Sequence, residues 1–401
     1  MAEILIISAE MPYPVRGGDQ LRQYNLIKRI AQHHNVYLAT FLHGKEEEEI
    51  GVQEMRKYCK GVHVVHAPKF SAPVLMRRFI SNLARWRPLC ESYHFVPVLE
   101  AKVREITSKQ NFDIIQAEHV YMSEYAHCAP KNSAHKKILT LIDIESVRIK
   151  RQFFLEPIGQ NKVRYLIDWL VMKSFEPRSM RRMDKCIAMS EIEAKIARKM
   201  APMVDVEVVP NGVDSKLLTP VVPSKEKQLL MIGSLCYPPN IDGAEYFVKK
   251  IFPLIRTQDR EIKLNIVGRA PTPRVQALAC VDGVALFSNV PEVRPFYERS
   301  AVSVVPLRSG GGTRLKILES MAFGVPVVST SIGCEGLDVT NGKNILIADT
   351  PKTFAENVIR ILNDQSLRDK LIQNGRKLVE EKYDWDIIAQ RLLKIYDELL
   401  G

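Results

Sequence analysis

The fold of this chain is indicated most clearly by one stretch, SGGGTRLKILESMAFGVPVVSTS, which covers residues 309–331. An apolar run, AVSVVPL at 301–307, ends shortly before its three glycines, and a second, VPVVSTS at 325–331, closes it. Between the two runs, Leu315, Leu318 and Ala322 recur at the spacing that lines one face of a helix. A strand, a glycine turn, a helix and a strand in this order are typical of a parallel β-sheet with helical crossovers.

Two series of short, β-branched runs extend this pattern over the whole chain. The first series comprises residues 3–8, 35–41, 62–67, 113–118, 137–144 and 185–190. The second comprises residues 228–234, 263–268, 283–288, 301–307, 325–331 and 344–349. Because continuous apolar strands separated by helices indicate parallel sheets covered on both faces, we predict two doubly wound α/β domains.

Turn and linker signals place the boundary between the two series. The segment VVPNGVDSKLLTPVVPSKEKQ, at 208–228, contains an Asn-Gly pair and three prolines. We therefore predict an N-terminal domain over 1–207, a linker over 208–227 and a C-terminal domain over 228–383. The remaining residues, 384–401, have the apolar spacing of an amphipathic helix.

Length, charge and cysteine content limit the classes of function. The chain has 401 residues and a formal net charge of +11, which favours anionic partners but indicates no dedicated nucleic-acid surface. Its seven cysteines include no CxxC pair, so we expect reduced thiols and neither a disulfide framework nor structural zinc. Because no run resembles a signal peptide or a membrane span, we predict that the protein is cytoplasmic. We expect no nucleic acid among its binding partners.

The glycine turn has the composition of a phosphate site. Glycines let the backbone approach a ligand closely, and the N-terminus of the following helix offers unpaired N–H groups to an anion. Arg314 and Lys316 add two charges that suit a diphosphate, and Glu319 lies on the same helix face as Lys316. A carboxylate in that position suits ribose hydroxyls, so the pattern indicates a nucleoside diphosphate group. The alternative is a tight turn flanked by ordinary surface charge.

The stretch at 304–337 resembles the donor-site signature of glycosyltransferase family 4, and segments 12–22, 208–214 and 233–247 match the same family. The resemblance implies the GT-B fold, in which two Rossmann-like domains face each other across a cleft. It assigns acceptors to the N-terminal domain and the nucleotide sugar to the C-terminal domain, and its last helix crosses back to the first domain. The implied activity is transfer of a sugar from a nucleotide-diphosphate sugar, with retention at the anomeric carbon.

The resemblance also assigns roles to individual residues. Lys316, with Arg314 as its companion, corresponds to diphosphate binding, and Glu319 corresponds to the ribose contact. Gly17 and Gly18 correspond to the loop that closes over the donor phosphates. His119, which follows a predicted strand, stands where the family places an active-site histidine; the alternative is a loop histidine without a role.

The acids of the chain are not expected to form a metal site. Fixed cations and a helix N-terminus stabilise the charge on a departing diphosphate, so such a site needs neither a metal ion nor another cofactor. The Asp-x-acid patterns at 143–145, 205–207 and 384–386 are read as coincidence. Asp143 and Glu145 are nevertheless weaker candidates for the active site, because they end a predicted strand.

One position departs from the family pattern. The common form has two glutamates separated by seven residues, but the position eight before Glu319 is Gly311. The missing carboxylate is associated with hydroxyls of the donor sugar. We therefore predict that backbone N–H groups of the turn contact the donor sugar or its β-phosphate instead, and assign substrate binding to Gly310, Gly311, Gly312 and Thr313.

Two basic segments suggest where an acceptor binds the protein. Residues 69–89 combine four arginines with phenylalanine, leucine and tryptophan and contain no acid, and residues 148–182 are similar in their basic and aromatic content. Such segments either contact anionic lipid at the inner face of the plasma membrane, or form helices that are solvated or pack between domains. The resulting hypothesis is a transferase that modifies a glycan or lipid-linked acceptor in surface polysaccharide synthesis. The alternatives are a silent nucleotide-sugar-binding protein and a nucleotide-sugar epimerase.

Overall fold

The computed structural model describes residues 1–89, 94–129, 135–222, 226–311 and 313–401. The chain divides into two compact units. The first unit is Met1–Pro210 together with Ile388–Gly401, and the second is Asn211–Ile387. The last helix therefore contributes most of its length to the first unit.

Parallel strands form a seven-stranded sheet in the first unit. They are β1 (Glu3–Ser8), β2 (Asn35–Leu42), β3 (Gly61–His66), β4 (Ile114–Glu118), β5 (Lys136–Leu141), β6 (Lys185–Ala188) and β7 (Asp205–Val208). Their order is β3-β2-β1-β4-β5-β6-β7, so the direction of winding reverses between β1 and β4. Doubly wound sheets bind ligands in the crevice that such a reversal opens at the carboxyl ends of the strands.

The helices of the first unit connect these strands. They are α1 (Gly18–Ile30), α2 (Val52–Met55), α3 (Ala72–Ala84), α4 (Pro97–Lys109), α5 (Glu145–Leu155), α6 (Gln160–Met180) and α7 (Glu191–Met200). α7 shows how the sequence sets a helix start: the Ser190 hydroxyl accepts a hydrogen bond from the Glu193 N–H at 3.2 Å. The Ser190 hydroxyl also donates to the Glu193 carboxylate at 3.1 Å, so the N-cap side chain contacts both the backbone and the side chain of Glu193.

The second unit contains a six-stranded parallel sheet. Its strands are β8 (Gln228–Ile232), β9 (Lys263–Gly268), β10 (Val284–Ser288), β11 (Val302–Val305), β12 (Val327–Ser329) and β13 (Leu346–Ile347). Their order is β10-β9-β8-β11-β12-β13, which places a second reversal between β8 and β11. The loops that follow β8 and β11 therefore meet at one crevice.

Most helices of the second unit begin close to a proline or a capping side chain. They are α8 (Pro238–Tyr246), α9 (Phe252–Gln258), α10 (Pro273–Gln276), α11 (Arg294–Glu298), α12 (Leu315–Ala322), α13 (Pro351–Asn363) and α14 (Gln365–Leu378), followed by α15 (Trp385–Leu400). The Thr350 and Asp364 side chains cap α13 and α14 by accepting N–H bonds from Thr353 and Leu367.

The apolar runs that predicted the strands form the core of each sheet. In the first unit, Leu5 of β1, Ala117 of β4 and Leu139 of β5 are fully buried in one cluster. In the second unit, Leu229 of β8 and Val302 of β11 belong to a similar cluster. The predicted fold of two doubly wound parallel-sheet domains is confirmed.

No apolar run in the sequence predicts β7, a four-residue edge strand whose first residue is exposed and whose second is buried. An edge strand contacts one neighbour only, so its sequence needs no continuous apolar run.

Across the residues that the structure describes, no helix combines the length and apolarity that a bilayer crossing requires.

The Arg376 guanidinium ties together three backbone segments of the second unit. Its Nη1 donates to the carbonyl oxygens of Leu218 and Ala322, each at 2.6 Å, and its Nη2 donates to the Ser215 carbonyl at 2.6 Å. The guanidinium also pairs with Glu380 through Nε at 2.6 Å. One largely buried side chain therefore joins the segment at 215–218, the end of α12 and its own helix, α14.

We predict that Arg376→Ala lowers the free energy of unfolding by about 3 kcal/mol, because buried carbonyl groups lose a charged donor. Urea denaturation followed by circular dichroism measures this change. Lys377→Ala, at the exposed neighbouring side chain, is the control and should cost less than about 0.5 kcal/mol. Equal effects of the two substitutions would contradict the assigned role of Arg376.

Candidate functional site

The glycine stretch lies in the loop that joins β11 to α12 at the crevice of the second unit. Within the described part of this turn, Gly310 has the left-handed φ of +122°, and an added Cβ there would lie 2.9 Å from the Arg314 Nη2 atom. The backbone angle therefore favours glycine at position 310, and a side chain there would also have to displace the Arg314 guanidinium. Gly311 is half-buried beside it, and the predicted site residue Gly312 lies outside the described residues.

Two cations follow the turn. Arg314, the residue that precedes α12, is only 8% exposed, and Lys316 lies in the first turn of the helix and is half-buried. Loss of hydration and the nearby Arg314 charge lower the pKa of Lys316 to about 7, although Glu319 acts in the opposite direction. A bound anion would restore the full charge of this lysine, so the site favours a negatively charged ligand.

Asn240 holds the Lys316 side chain in place, and the sequence analysis did not identify it. The Lys316 Nζ donates to the Asn240 Oδ1 at 2.7 Å, while the Asn240 Nδ2 donates to the Ser234 carbonyl at 2.8 Å. Asn240 thus links α12 to the loop after β8. The signals for this residue are its place in segment 233–247, which resembles the family, and at the start of α8.

A glycine after β8 makes room for this contact. A Cβ added to Gly233 would lie 2.8 Å from the Lys316 Nζ and 2.9 Å from the Asn240 Nδ2. Gly233, Asn240, Leu307 and Lys316 line a small pocket between the ends of β8 and β11. The pocket therefore has a polar side formed by the amine and the amide, and an apolar side formed by the strand ends.

Glu319 lies one turn further along α12. Burial raises the pKa of its carboxyl, whereas Lys316 and Tyr297 act in the opposite direction. The Tyr297 ring is fully buried and stacks on Phe323 at a centroid distance of 4.4 Å. The crevice thus presents two cations near the turn and one carboxylate beyond them.

The predicted site residue Thr313 has a structural contact of its own. It is 7% exposed, and its hydroxyl oxygen accepts a hydrogen bond from the Asn211 backbone N–H at 3.2 Å. This bond joins the turn to the PNG segment, which also resembles the family pattern. The hydroxyl of Thr313 therefore orders the turn, and the predicted contact of its backbone with a substrate stays a prediction.

In the first unit, Gly17 and Gly18 lie in the loop after β1. Gly17 is extended, its carbonyl accepts the Leu21 N–H at 3.0 Å, and Gly18 is the first residue of α1. Both glycines lie at the reversal between β1 and β4, where the N-terminus of α1 meets the crevice. Their assignment to donor phosphates stays a prediction.

His119 follows β4 at the same reversal and adopts a strained backbone. Its φ is +84°, which a side-chain-bearing residue seldom adopts and which is typical of functional positions. Its ring stacks on Tyr121 at 4.3 Å, and Tyr121 stacks on His94 at 5.2 Å. The backbone and the stack together fix the direction of the imidazole.

The electrostatics of His119 are those of a neutral hydrogen-bonding group. Burial lowers its pKa to about 4, although its Nε2 lies 3.6 Å from the Glu145 Oε1. Its Nδ1 is buried and has no hydrogen-bond partner among the described residues. An unsatisfied buried nitrogen is costly, and no described residue offsets this cost, so a role for His119 in substrate binding stays a prediction.

Glu145 and Glu176 form a buried carboxylate pair behind His119. Glu145 begins α5, and the Arg148 Nε donates to its Oε1 at 3.1 Å. Glu176 accepts the backbone N–H groups of Glu145 at 2.5 Å and Ser146 at 3.0 Å. Burial raises the pKa of Glu176 to about 7. The N-terminus of α5 is therefore occupied by a protein carboxylate.

The other acids considered as metal ligands have structural contacts. Asp205 pairs with Lys185 at 2.8 Å, and Asp384 accepts the Ser215 N–H at 3.1 Å. Throughout the described ranges, no group of three or more His, Cys, Asp or Glu side chains is arranged to hold a metal ion. Metal independence of the reaction stays a prediction.

Comparison with known proteins identifies related sequences over almost the entire chain. A protein of Klebsiella pneumoniae described as "Uncharacterized 44.6 kDa protein in cps region" is 25% identical over 416 residues, covering 98% of this chain and 100% of the relative. The "Capsular polysaccharide biosynthesis glycosyltransferase CapM" of Staphylococcus aureus is 30% identical over 157 residues, covering 37% of this chain and 41% of that protein.

Solved structures share the fold at lower identity. A sucrose-phosphate synthase from Thermosynechococcus elongatus superposes with a TM-score of 0.74 at 18% identity and covers 100% of this chain and 99% of its own. Anabaena Alr3699/HepE, solved in complex with UDP and glucose, superposes with a TM-score of 0.69 at 15% identity over 99% and 100% of the two chains. The likeness supports the predicted GT-B fold class.

Two family matches cover both units. The family described as Glycosyl transferases group 1 matches residues 226–364, which include the glycine turn and α12. The family described as Glycosyltransferase Family 4 matches residues 16–217, about half of the chain, which include Gly17 and His119. Together with the predicted signature at 304–337, these matches show that the chain belongs to glycosyltransferase family 4.

Proposed function

We propose that the protein transfers a sugar from a nucleotide-diphosphate sugar to a glycan or lipid-linked acceptor, with retention at the anomeric carbon and without a metal ion. The observation that carries the proposal is the pair of cations at the second-unit crevice, where Arg314 and a partly charged Lys316 follow a glycine turn. The capsular polysaccharide relative supports a place in surface polysaccharide synthesis. UDP in the complex of a similar fold supports a nucleoside diphosphate as leaving group.

Arg314 and Lys316 bind the diphosphate and stabilise it as it departs. When the glycosyl–phosphate bond breaks, negative charge develops on the phosphate oxygen, and fixed cations lower the energy of that state. Anion binding raises the protonated fraction of Lys316. The attraction between Lys316 and the phosphate therefore becomes stronger as negative charge develops on the phosphate. The backbone N–H groups of Gly311 and Thr313 add neutral donors close in sequence to these cations.

Glu319 binds the ribose of the nucleoside. A carboxylate accepts hydrogen bonds from two adjacent hydroxyls, and the helix places Glu319 one turn beyond Lys316.

His119 hydrogen-bonds a substrate hydroxyl as a neutral group. Because its pKa is about 4, the imidazole is neutral near pH 7 and orients a hydroxyl by hydrogen bonding, without supplying charge.

Product analysis of the purified protein tests the proposal against its two alternatives. Release of nucleoside diphosphate that depends on an acceptor, and that persists with a chelator present, supports a metal-independent transferase. Binding of a nucleotide sugar without any turnover would identify a silent binding protein. Conversion of the sugar without acceptor and with the nucleotide still attached would identify an epimerase. Retention is read from the anomeric configuration of the isolated product.

Replacing Lys316 with alanine removes a donor to the leaving group. We expect Lys316→Ala to lower kcat/KM by roughly 100-fold, the effect of losing about 3 kcal/mol of transition-state stabilisation. Release of nucleoside diphosphate, followed at varied donor concentration with the acceptor saturating, measures kcat/KM. Lys343→Ala, at an exposed lysine of the same unit, should leave kcat/KM unaltered. Full activity of Lys316→Ala would exclude Lys316 from diphosphate binding.

Asn240 provides a test through the pH dependence. The pKa of Lys316 in the free enzyme is about 7, so kcat/KM for the donor should fall as pH rises through 7 and the lysine loses its charge. Asn240→Asp places a carboxylate against the Lys316 Nζ, which favours the ammonium, raises this pKa and moves the basic limb to higher pH. The plateau value of kcat/KM on the acidic side of this limb should also fall, because the carboxylate at position 240 repels the donor phosphates.

The control for this experiment is Asn374→Asp, on a side chain of α14 that bonds backbone carbonyls far from Lys316 in sequence. It should leave the basic limb in place. If Asn240→Asp also left the limb unmoved, the titrating group would be another residue, and the proposed coupling between Asn240 and Lys316 would be rejected.

Gly311 tests whether the turn itself contacts the donor. A glutamate at this position should obstruct the donor, so Gly311→Glu should weaken nucleotide-sugar binding at least about tenfold in a normally folded protein. Calorimetric titration with the nucleotide sugar measures binding, and a thermal melt checks folding. Improved turnover would show that the acid of the common family pattern still fits and that the glycine is incidental.

A further inference from the structure

Helix α3 exposes its apolar face to solvent. None of its residues is fully buried. Met76, Ile80 and Leu83, which recur at helical spacing, are 58%, 63% and 39% exposed. The side chains that pack toward the protein, Leu75 and Phe79 among them, are only half-buried. A surface helix of a globular domain normally buries its apolar face, so α3 has the opposite arrangement.

The arginines around α3 fall into two groups. Arg78 and Arg87 contact the protein: Arg78 donates to the Phe95 carbonyl at 2.7 Å, and Arg87 lies 3.7 Å from Glu124. Arg77 and Arg85 are exposed, and Lys69 is exposed before the helix. Residues 69–89 themselves contribute no acid to this face, and the charge that they expose is positive.

A second exposed apolar segment lies in the same unit. It consists of Phe154 and Ile158 around the end of α5 and of Val163, Leu166 and Leu170 on α6, of which Ile158 is 97% exposed. Arg178 of α6 donates to the Trp86 carbonyl at 2.9 Å, so α6 borders the chain that follows α3. Of 22 large hydrophobic side chains exposed in the described residues, ten lie within 74–86 and 154–170.

We propose that residues 69–87 together with 154–170, the α3–α6 surface, dock the protein on an anionic lipid bilayer. Exposed apolar side chains enter the headgroup region of a membrane, and cations beside them attract anionic lipids. The exposed Trp86 is of the residue type that prefers this interface.

The charge pattern favours a bilayer over a second copy of the chain. A twofold contact between two α3 helices would bring Arg77 and Arg85 of each copy toward those of the other, with no acid in 69–89 to neutralise them. A bilayer supplies negative charge over the whole face. The docking is independent of the proposed reaction, so it can be tested whether or not sugar transfer is observed.

Vesicle binding by the intact protein tests the proposal. We expect it to float with vesicles of phosphatidylcholine that contain roughly 30% phosphatidylglycerol, and to bind phosphatidylcholine alone at least about tenfold more weakly. Raising the salt concentration from about 0.05 M to about 0.5 M should weaken binding, because it screens the charges. Brominated lipid should quench the emission of Trp86, whereas a Trp86→Phe variant should lose this quenching.

Substitutions within the exposed face separate the apolar contribution to vesicle binding from the electrostatic one. Met76→Ser, Ile80→Ser and Leu83→Ser combined should weaken binding by about 100-fold through lost apolar burial. Arg77→Gln with Arg85→Gln should weaken it roughly 30-fold and remove most of the salt dependence. All five side chains are exposed, so the variants should melt at the temperature of the unmodified protein.

Matched controls use exposed residues outside the α3–α6 surface. Ile192→Ser, Met203→Ser and Leu254→Ser combined, and Lys352→Gln with Lys370→Gln, should leave vesicle binding unaltered. Equal loss in controls and test variants would overturn the proposal, as would absence of binding to anionic vesicles at low salt. Self-association that the Met76, Ile80 and Leu83 substitutions abolish, seen by sedimentation without lipid, would identify a second copy as the occupant instead.

Discussion

The burial of Lys316 beside a second cation is the constraint on which the second-unit site depends. Desolvation, and then the charge of the nearly buried Arg314, bring the pKa of Lys316 down to about 7. Lys316 and Arg314 therefore carry less positive charge together than they would in water. An anionic ligand removes the repulsion and recovers the lost charge, so the same arrangement that is unfavourable without a ligand favours phosphate when one is bound.

The surrounding backbone maintains this arrangement. Gly310 and Gly233 lack side chains where a Cβ would approach Arg314 or Lys316 to within 2.9 and 2.8 Å. Asn240 directs the lysine toward the loop after β8, and the Ser320 hydroxyl fixes the first turn of α12 through the Lys316 carbonyl at 2.6 Å. The reversal of strand order between β8 and β11 brings these segments to one place.

How much the sequence could predict depended on whether the interacting groups lie in one segment. The fold class followed from apolar runs and helical spacing, and the glycine turn, Arg314, Lys316 and Glu319 lie within ten residues of one another. Asn240 is 76 positions from Lys316, so nothing local indicates their bond. For α3, the sequence shows an apolar face but not its direction, because only the neighbouring elements decide which face is covered.

The two crevices differ in the charge that they present, and this difference bears on their roles. The second unit offers cations at its turn and a carboxylate one helical turn further on, so a ligand with an anionic end and a hydroxyl end has one favourable orientation. The first unit offers His119, whose pKa of about 4 leaves it neutral, on a backbone held at φ +84°. Backbone strain is tolerated where it fixes a group that reacts or binds. Under the proposed reaction, the charge of the second unit is concentrated where the diphosphate would leave, and the neutral imidazole of His119 would hydrogen-bond a substrate hydroxyl without adding charge.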